Sequence, residues 1–355
     1  MKKKLFVIVT AVAMSAMLAA CGGGQSNGSS ASSGESKDGS SEQTAVAEAP
    51  ADGTVYECVA ALHTNAGGIE DQTVQKFGQL LSEKTDGHVV VSTFAGGALG
   101  TEQENLTQIK TNEIQFALFG DVFLTQLLQD YNATSIPFVF ENIDESISYW
   151  DSISDVVDEK VKSDGNMYIV GREWRAPRQL TANKAIEHPS DLAGFKLRVP
   201  ETKFYLDVWG SLGALTTPVN WSEVFTALQT NVVDGQENPI ETYYQAGLCE
   251  VQSHTMLTNH INTFYTWAVN CDFYDSLPDE YKKAFDEAAQ EALEECNSTL
   301  YSRQDETIEK MKAEGHTFVE VDQSEFRDAA MDAIKACADT LAPEAKEAVY
   351  KKLGE

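Results

Sequence analysis

Beyond its first fifty residues the chain alternates between two hydrophobic periods. Val55–Leu62 reads as a strand and runs into a polar loop at His63–Ile69. Val74, Phe77, Leu80 and Leu81 then recur at three- and four-residue steps, which predicts a helix over about Glu70–Thr85. Val89–Phe94 is β-branched and predicts a second strand. Thr101 and Glu104 stand at the spacing of a capping box and open a helix through Leu106 and Ile109. Ile114–Phe119 is the next strand, Asp144–Ser163 the next helix and Met167–Gly171 a further strand. Such alternation predicts a mainly parallel sheet with helices on its faces.

The second half repeats the pattern. Asn220 and Glu223 form a second N-cap pair ahead of Val224, Phe225 and Leu228, and Thr263–Asn270 is an aromatic, apolar strand. In Pro278–Glu314, Tyr281, Phe285, Ala288, Ala292, Cys296 and Leu300 keep one helical face, which predicts a single helix of about 35 residues, roughly 50 Å long. A folded body of this size exceeds what one hydrophobic core serves, so two domains are expected. Chain crossovers near Gly171–Pro177 and near Asn262–Asn270 would make both discontinuous.

The amino terminus breaks the pattern. Lys2, Lys3 and Lys4 precede an apolar run, Leu5–Ala20, too short and wrongly flanked for a membrane span; residues 1–20 read as a secretory signal peptide. The run ends L-A-A-C at Leu18–Cys21, which resembles the lipobox of bacterial lipoproteins and implies lipidation of Cys21. From Gly22 to Gly53 there is almost nothing large and apolar, so residues 21–53 are expected to be a disordered, lipidated tether holding the body at the cell membrane.

Composition narrows the chemistry. A formal charge of −29 excludes nucleic-acid binding through phosphates and opposes any anionic ligand unless a few basic residues make the site locally positive. Cys58, Cys249, Cys271, Cys296 and Cys337 fall in no metal-ligand spacing and read as buried small hydrophobes, so neither metal nor cofactor is expected. The six histidines, at 63, 88, 188, 254, 260 and 316, form no catalytic word, and no G-x-S-x-G, H-E-x-x-H or P-loop occurs. The chain is therefore not expected to be an enzyme.

The candidate chemistry lies between Arg175 and Pro239, in R-A-P-R-Q-L-T-A-N (Arg175–Asn183), D-L-A-G-F-K-L-R-V-P (Asp191–Pro200), T-P-V-N-W-S-E-V-F-T-A-L-Q-T (Thr217–Thr230) and V-V-D-G-Q-E-N-P (Val232–Pro239). Arg178 and Arg198 adjoin extended segments, and Asn238 precedes a proline that biases it away from helix. Two guanidiniums and an amide converging from separate elements make a carboxylate receptor.

These words resemble the substrate-binding proteins of tripartite ATP-independent periplasmic (TRAP) transporters, most specifically at A-L-Q-T-N-V-V-D-G-Q-E-N-P (Ala227–Pro239). The resemblance covers the chain from about Val55 to its end. It implies an α/β, two-domain periplasmic-binding-protein-like fold with discontinuous domains, hinge crossovers and a long helix spanning both. The domains would be 54–175 plus 264–303 and 176–263 plus 304–355. It implies Arg198 as the principal carboxylate partner, assisted by Arg178 and Asn238, with Trp221 covering the ligand. His63, Asn65 and Asp121 are candidate walls from the first domain, Asp121 favouring hydroxyl donors; Glu173, Trp174 and Glu223 are weaker candidates. The expected ligand is a small organic acid anion, a C4-dicarboxylate or a sugar acid such as a uronate. The expected partners are TRAP integral membrane subunits and, through the lipid, the membrane; the chain itself is expected to be a monomer. The same fold could instead present its ligand to a membrane receptor kinase, and a secreted enzyme is the remaining alternative.

Overall fold

The computed structural model describes residues 53–355; the expected signal peptide, Cys21 and all but the last residue of the tether lie outside the described residues. The chain first lays down β1 (Tyr56–Leu62), a helix at Ile69–Lys84, β2 (Val89–Phe94), a helix at Glu102–Lys110 and β3 (Phe116–Phe119). The Ile69–Lys84 helix carries Glu70 and Asp71 in its first turn and Lys84 in its last, the order its dipole favours. Its buried face presents Phe77 to the rings of Phe116, Trp267 and Phe285 at 5.5, 5.6 and 4.9 Å. Burying one such side chain contributes about 1.5–3 kcal/mol, so this cluster is the centre of the first lobe. The Thr101–Glu104 capping box forms as expected.

After two helices, Ile143–Ser152 and Ser154–Gly165, the chain forms β4 (Met167–Trp174), then crosses at residues 175–177 to β5 (Arg178–Ala182). It continues through β6 (Lys196–Val199), β7 (Leu215–Pro218), β8 (Gly235–Pro239) and β9 (His254–Ile261), then crosses back at residues 262–263 into β10 (Phe264–Asn270). The two crossovers lie side by side, Arg175 N–H donating to Thr263 O at 3.1 Å.

Two sheets result. The first has the order β2-β1-β3-β10-β4, with β1 parallel to β2 and β3 but β10 antiparallel to β3 and β4. The second has the order β11-β9-β5-β8-β6-β7, β11 being Thr317–Val319. There β5 is antiparallel to β8 and β9, while β6 is parallel to both β7 and β8. The mainly parallel sheet expected from the alternation is therefore mixed in both lobes. Local hydrophobic period fixes strand existence; the returning crossover fixes direction, and it brings β10 back against the run of its neighbours.

The long helical run is also revised. It divides into Asp279–Ser298, which packs on the first lobe, and Leu300–Ala313, which packs on the second. Thr299 is the break. Its hydroxyl donates back to the Glu295 and Cys296 carbonyls, and the Arg303 guanidinium takes the same Cys296 carbonyl at 2.6 Å. A side chain competing for helix carbonyls bends a helix, and apolar spacing alone cannot register it. Asp144–Ser163 similarly separates into two helices at Ile153. The last helix, Pro343–Lys352, returns to the first lobe, where Ala342 N–H donates to Asp130 O at 2.8 Å and Lys352 pairs with Glu145 at 2.8 Å.

Candidate ligand-binding cleft

Between the two sheets lies a cleft of about 1050 Å³, lined by residues from the loop after β1, the first crossover, the start of β5 and the carboxyl ends of β6 and β8, with Tyr265 of β10. Arg198 sits in β6, 4% exposed, and both Nε and Nη2 donate to Val219 O at 2.9 and 2.7 Å. That carbonyl orients the guanidinium beside the Trp221 ring, 5.9 Å from its centroid. Trp221 in turn reaches across the cleft, its Nε1–H donating to Asn65 Oδ1 at 3.4 Å. A second contact joins the walls nearby, Ile69 N–H to Gln245 Oε1 at 3.4 Å.

The signature segment becomes readable as structure. Asn231 takes φ 58°, a left-handed position that Asn tolerates at a helix end. Asp234 Oδ2 accepts from Lys196 N–H at 3.0 Å, fixing β8 against β6. A Cβ on Gly235 would lie 2.2 Å from Thr181 O and 2.6 Å from the Phe195 ring, so only glycine fits there. Glu237 points inward, and Asn238, 3% exposed, points into the cleft with Nδ2 donating to Gln236 Oε1 at 2.8 Å.

Arg178 lines the cleft from behind. Its Nε and Nη2 donate to the Glu237 carboxylate at 2.5 and 2.7 Å, and Nη2 also reaches Glu237 O at 2.8 Å. His260 Nε2 contacts the same carboxylate at 2.9 Å, and its Nδ1 meets Thr258 Oγ1 at 2.8 Å. Because Thr258 Oγ1 already accepts from Leu180 N–H, the consistent assignment has Thr258 donating to Nδ1 and Nε2–H donating to Glu237. Burial opposes ionisation of Glu237 most strongly, but the Arg178 charge and the hydrogen bonds from Arg178 and His260 outweigh it and hold its pKa down to about 2. Burial lowers the pKa of His260, which stays neutral. Arg178 therefore brings a largely compensated charge to the cleft.

Of the first-lobe candidates, His63 and Asn65 line the cleft. His63 Nε2 lies 3.7 Å from Glu102 Oε2 and its ring packs edge-on against Tyr265 at 5.9 Å. Glu102 Oε1 also accepts from Gly120 N–H at 2.8 Å. Asp121 opens the helix after β3, and its side chain lies outside the described residues. Glu173 and Trp174 do not line the cleft: Glu173 is buried under Trp267 Nε1–H at 3.0 Å, and Trp174 packs on the core with its N–H on Asn297. Glu223 is exposed, and Asn220 makes no side-chain cap, because a 3-10 turn at Trp221–Glu223 occupies the turn the N-cap pair would have opened.

Sequence reasoning missed Arg175. It stands on the first crossover, 7% exposed, over the Tyr265 ring at 4.2 Å from its centroid. Its Nη2 reaches Asn238 Oδ1 at 3.5 Å, and its buried Nε has no hydrogen-bond partner among the described residues. The R-A-P-R spacing was the available signal, two arginines three apart in an extended, proline-bearing segment. Thr64 and Asn132, which also line the cleft, likewise carry a buried polar atom without a partner among the described residues. Buried polar groups are ordinarily satisfied, so a cluster of exceptions around one cavity marks a ligand surface.

Residues 61–341 match the model of the bacterial extracellular solute-binding protein family 7. The chain belongs to this family. A solute-binding protein of Roseobacter denitrificans is 30% identical over 298 residues, covering 79% of this chain and 91% of that protein. The sialic acid-binding periplasmic protein of Vibrio cholerae is 27% identical over 271 residues, covering 76% and 84%. Among solved structures, a TRAP periplasmic solute binding protein of Roseobacter denitrificans with bound L-galactonate aligns with a TM-score of 0.76 at 27% identity, covering 84% of this chain and 99% of that one. A TRAP solute binding protein of Citrobacter koseri with bound D-glucuronate aligns with a TM-score of 0.76 at 26% identity, covering 83% and 98%. The family-level resemblance read from Ala227–Pro239 is thus correct, as is the two-domain α/β fold class it implied. No helix among the described residues is long and apolar enough to cross a membrane.

Proposed function

We propose that this solute-binding protein captures a small organic acid in the cleft and delivers it to TRAP membrane subunits. The observation that carries the reading is the placing of Arg198: a buried guanidinium, aimed by the Val219 carbonyl, beside an aromatic ring, in a cleft whose neighbouring groups include Asn238. A planar fork of this kind matches a carboxylate, and in a desolvated cleft each charge-assisted bond gains strength. Asn238 assists, and Arg178, already held by Glu237, stiffens the floor under the ligand. Trp221 covers one face, while His63, Asn65 and Asp121 contribute first-lobe polar contacts. The relatives' ligands, L-galactonate and D-glucuronate, support a sugar acid; a C4-dicarboxylate remains within the same chemistry. The lobes are domain I (54–175 plus 264–303) and domain II (176–263 plus 304–355), with the terminal helix at Pro343–Lys352 crossing back onto the first; they hinge at the crossovers, and Cys21 anchors the monomeric protein by its lipid.

Isothermal calorimetry on Arg198→Ala and Arg198→Lys tests the clamp. Losing one partner of a desolvated charge pair costs about 2–5 kcal/mol, and lysine cannot restore the fork. Both variants are expected to bind at least about thirtyfold more weakly, a factor worth about 2 kcal/mol. Affinity within about threefold of the native protein would remove Arg198 from the role.

A further inference from the structure

Arg175 is the one guanidinium of the cleft that the organic-acid reading does not use. Its side chain is more than nine-tenths buried, and none of the described carboxylates forms an ion pair with it. Among the described residues its Nε has no hydrogen-bond partner and its side chain's one polar contact is the long one to Asn238 at 3.5 Å, while its guanidinium lies over the Tyr265 ring. A desolvated cation costs free energy unless something balances it. The Tyr265 face supplies a part of that balance, and stacking leaves the edge of the guanidinium, with its row of N–H donors, directed sideways. That edge lies beside Asn238, the amide assigned to the ligand carboxylate.

We infer that Arg175 is a specificity-determining residue that selects acids carrying an oxygen on the carbon next to the carboxylate. The inference rests on the organic-acid reading of the cleft. Arg175 shares the cleft with Arg198 and reaches Asn238, so a ligand whose carboxylate is held by Arg198 and Asn238 would bring the carbon next to that carboxylate within reach of Arg175. An oxygen on that carbon and the near carboxylate oxygen stand side by side, as the parallel donors of a guanidinium edge do. Arg175 then takes both, sharing the negative charge and giving Nε its missing acceptor. A 2-hydroxy acid, a 2-oxo acid and a uronic acid, whose ring oxygen occupies that place, all present this pair. A plain dicarboxylate such as succinate does not, and would leave Nε buried and unsatisfied. Arg175 also belongs to the crossover, with its own N–H bonded to Thr263 O on the returning crossover. The contact is thus made by the segment that joins the two lobes, rather than by either wall.

The test pairs each acid with its analogue lacking that oxygen: L-galactonate with 2-deoxygalactonate, D-glucuronate with its carbocyclic analogue, and malate with succinate. Calorimetry on the native protein should show the oxygenated member of the binding pair at least about tenfold tighter, because a site built to bond an oxygen rejects the analogue without it. In Arg175→Met the ratio should fall to near one, and in Arg175→Lys, which keeps the charge without the fork, it should be intermediate. Native protein that binds both members of a pair equally overturns the inference without any variant being needed. So does an Arg175→Met protein that weakens both members by the same factor, which would make Arg175 a general source of charge. If the native protein binds no acid of the panel, the organic-acid reading itself falls, and this inference with it.

Discussion

At the scale of single residues, the Arg178–Glu237–His260 group decides how firmly the cleft floor is held. Glu237→Gln breaks the buried Arg178–Glu237 ion pair, and breaking such a pair costs about 3–5 kcal/mol; denaturant unfolding should show that loss, and a change below about 1 kcal/mol would mean the pair is structurally idle. The acid limb follows from the same group. Its carboxylate is held at about 2 against an ordinary 4.5, a lowered value, so the stabilisation is complete above 4.5 and disappears as the pH falls through about 2. Melting temperature measured between these values should drop in the native protein, and less steeply in Glu237→Gln. Arg198, Arg178, Asn238, Trp221, His63 and Asn65 were legible in the sequence as cleft residues, because the signature words and the loop after the first strand mark strand ends. What the sequence did not disclose was partnership. Glu237 sits inside the signature, yet nothing in its neighbours reveals that it neutralises Arg178, and Arg175 looked like one more surface charge until its burial was seen.

At the scale of elements, helix caps and helix breaks behave differently. The Thr101–Glu104 box was legible because both partners lie within one turn, and both bonds form; Thr101→Ala should cost about 1 kcal/mol by thermal unfolding. The break at Thr299 was not, since it depends on Arg303 and on the buried acids that face it from other elements. Arg303 Nε meets Glu241 Oε1 at 3.3 Å, and Glu173 lies close enough to feel the same charge. Burial raises the pKa of Glu241 to about 7, partly offset by Arg303, and burial also raises Glu173. A raised carboxyl stabilises the fold fully below its ordinary 4.5 and loses that contribution as the pH climbs through the folded value. Stability should therefore decline between about pH 5 and 8, and Glu241→Gln, which removes one of the two titrations, should flatten the decline. An unchanged slope would mean that Glu241 does not titrate there.

At the scale of the whole molecule, two lobes share two adjacent crossovers, a broken helical run and a terminal helix that returns to the first lobe. Lobes so joined are expected to close around a ligand held by both, since a ligand moves a conformational equilibrium only through its unequal affinity for the two states. Small-angle scattering should show the radius of gyration falling at saturating acid, and an unchanged profile would make the receptor rigid. A ligand at a hundred times its dissociation constant should also raise the unfolding free energy by about 2.7 kcal/mol, read as a thermal shift. The α/β class and the two-lobe division were legible from period and length. Strand direction was not, because it depends on where a distant segment returns.

The position of β10 has one further consequence, for the order of assembly. It is hydrogen-bonded between β3 and β4, so the first sheet lacks an interior strand until residues 264–270 exist and have come back across the molecule. A chain emerging amino terminus first therefore cannot finish its leading half before most of its trailing half has been made. Such long-range pairing is slow to form, and it keeps the nascent polypeptide loose for most of its synthesis, a state suited to being threaded through a narrow channel before it folds on the far side.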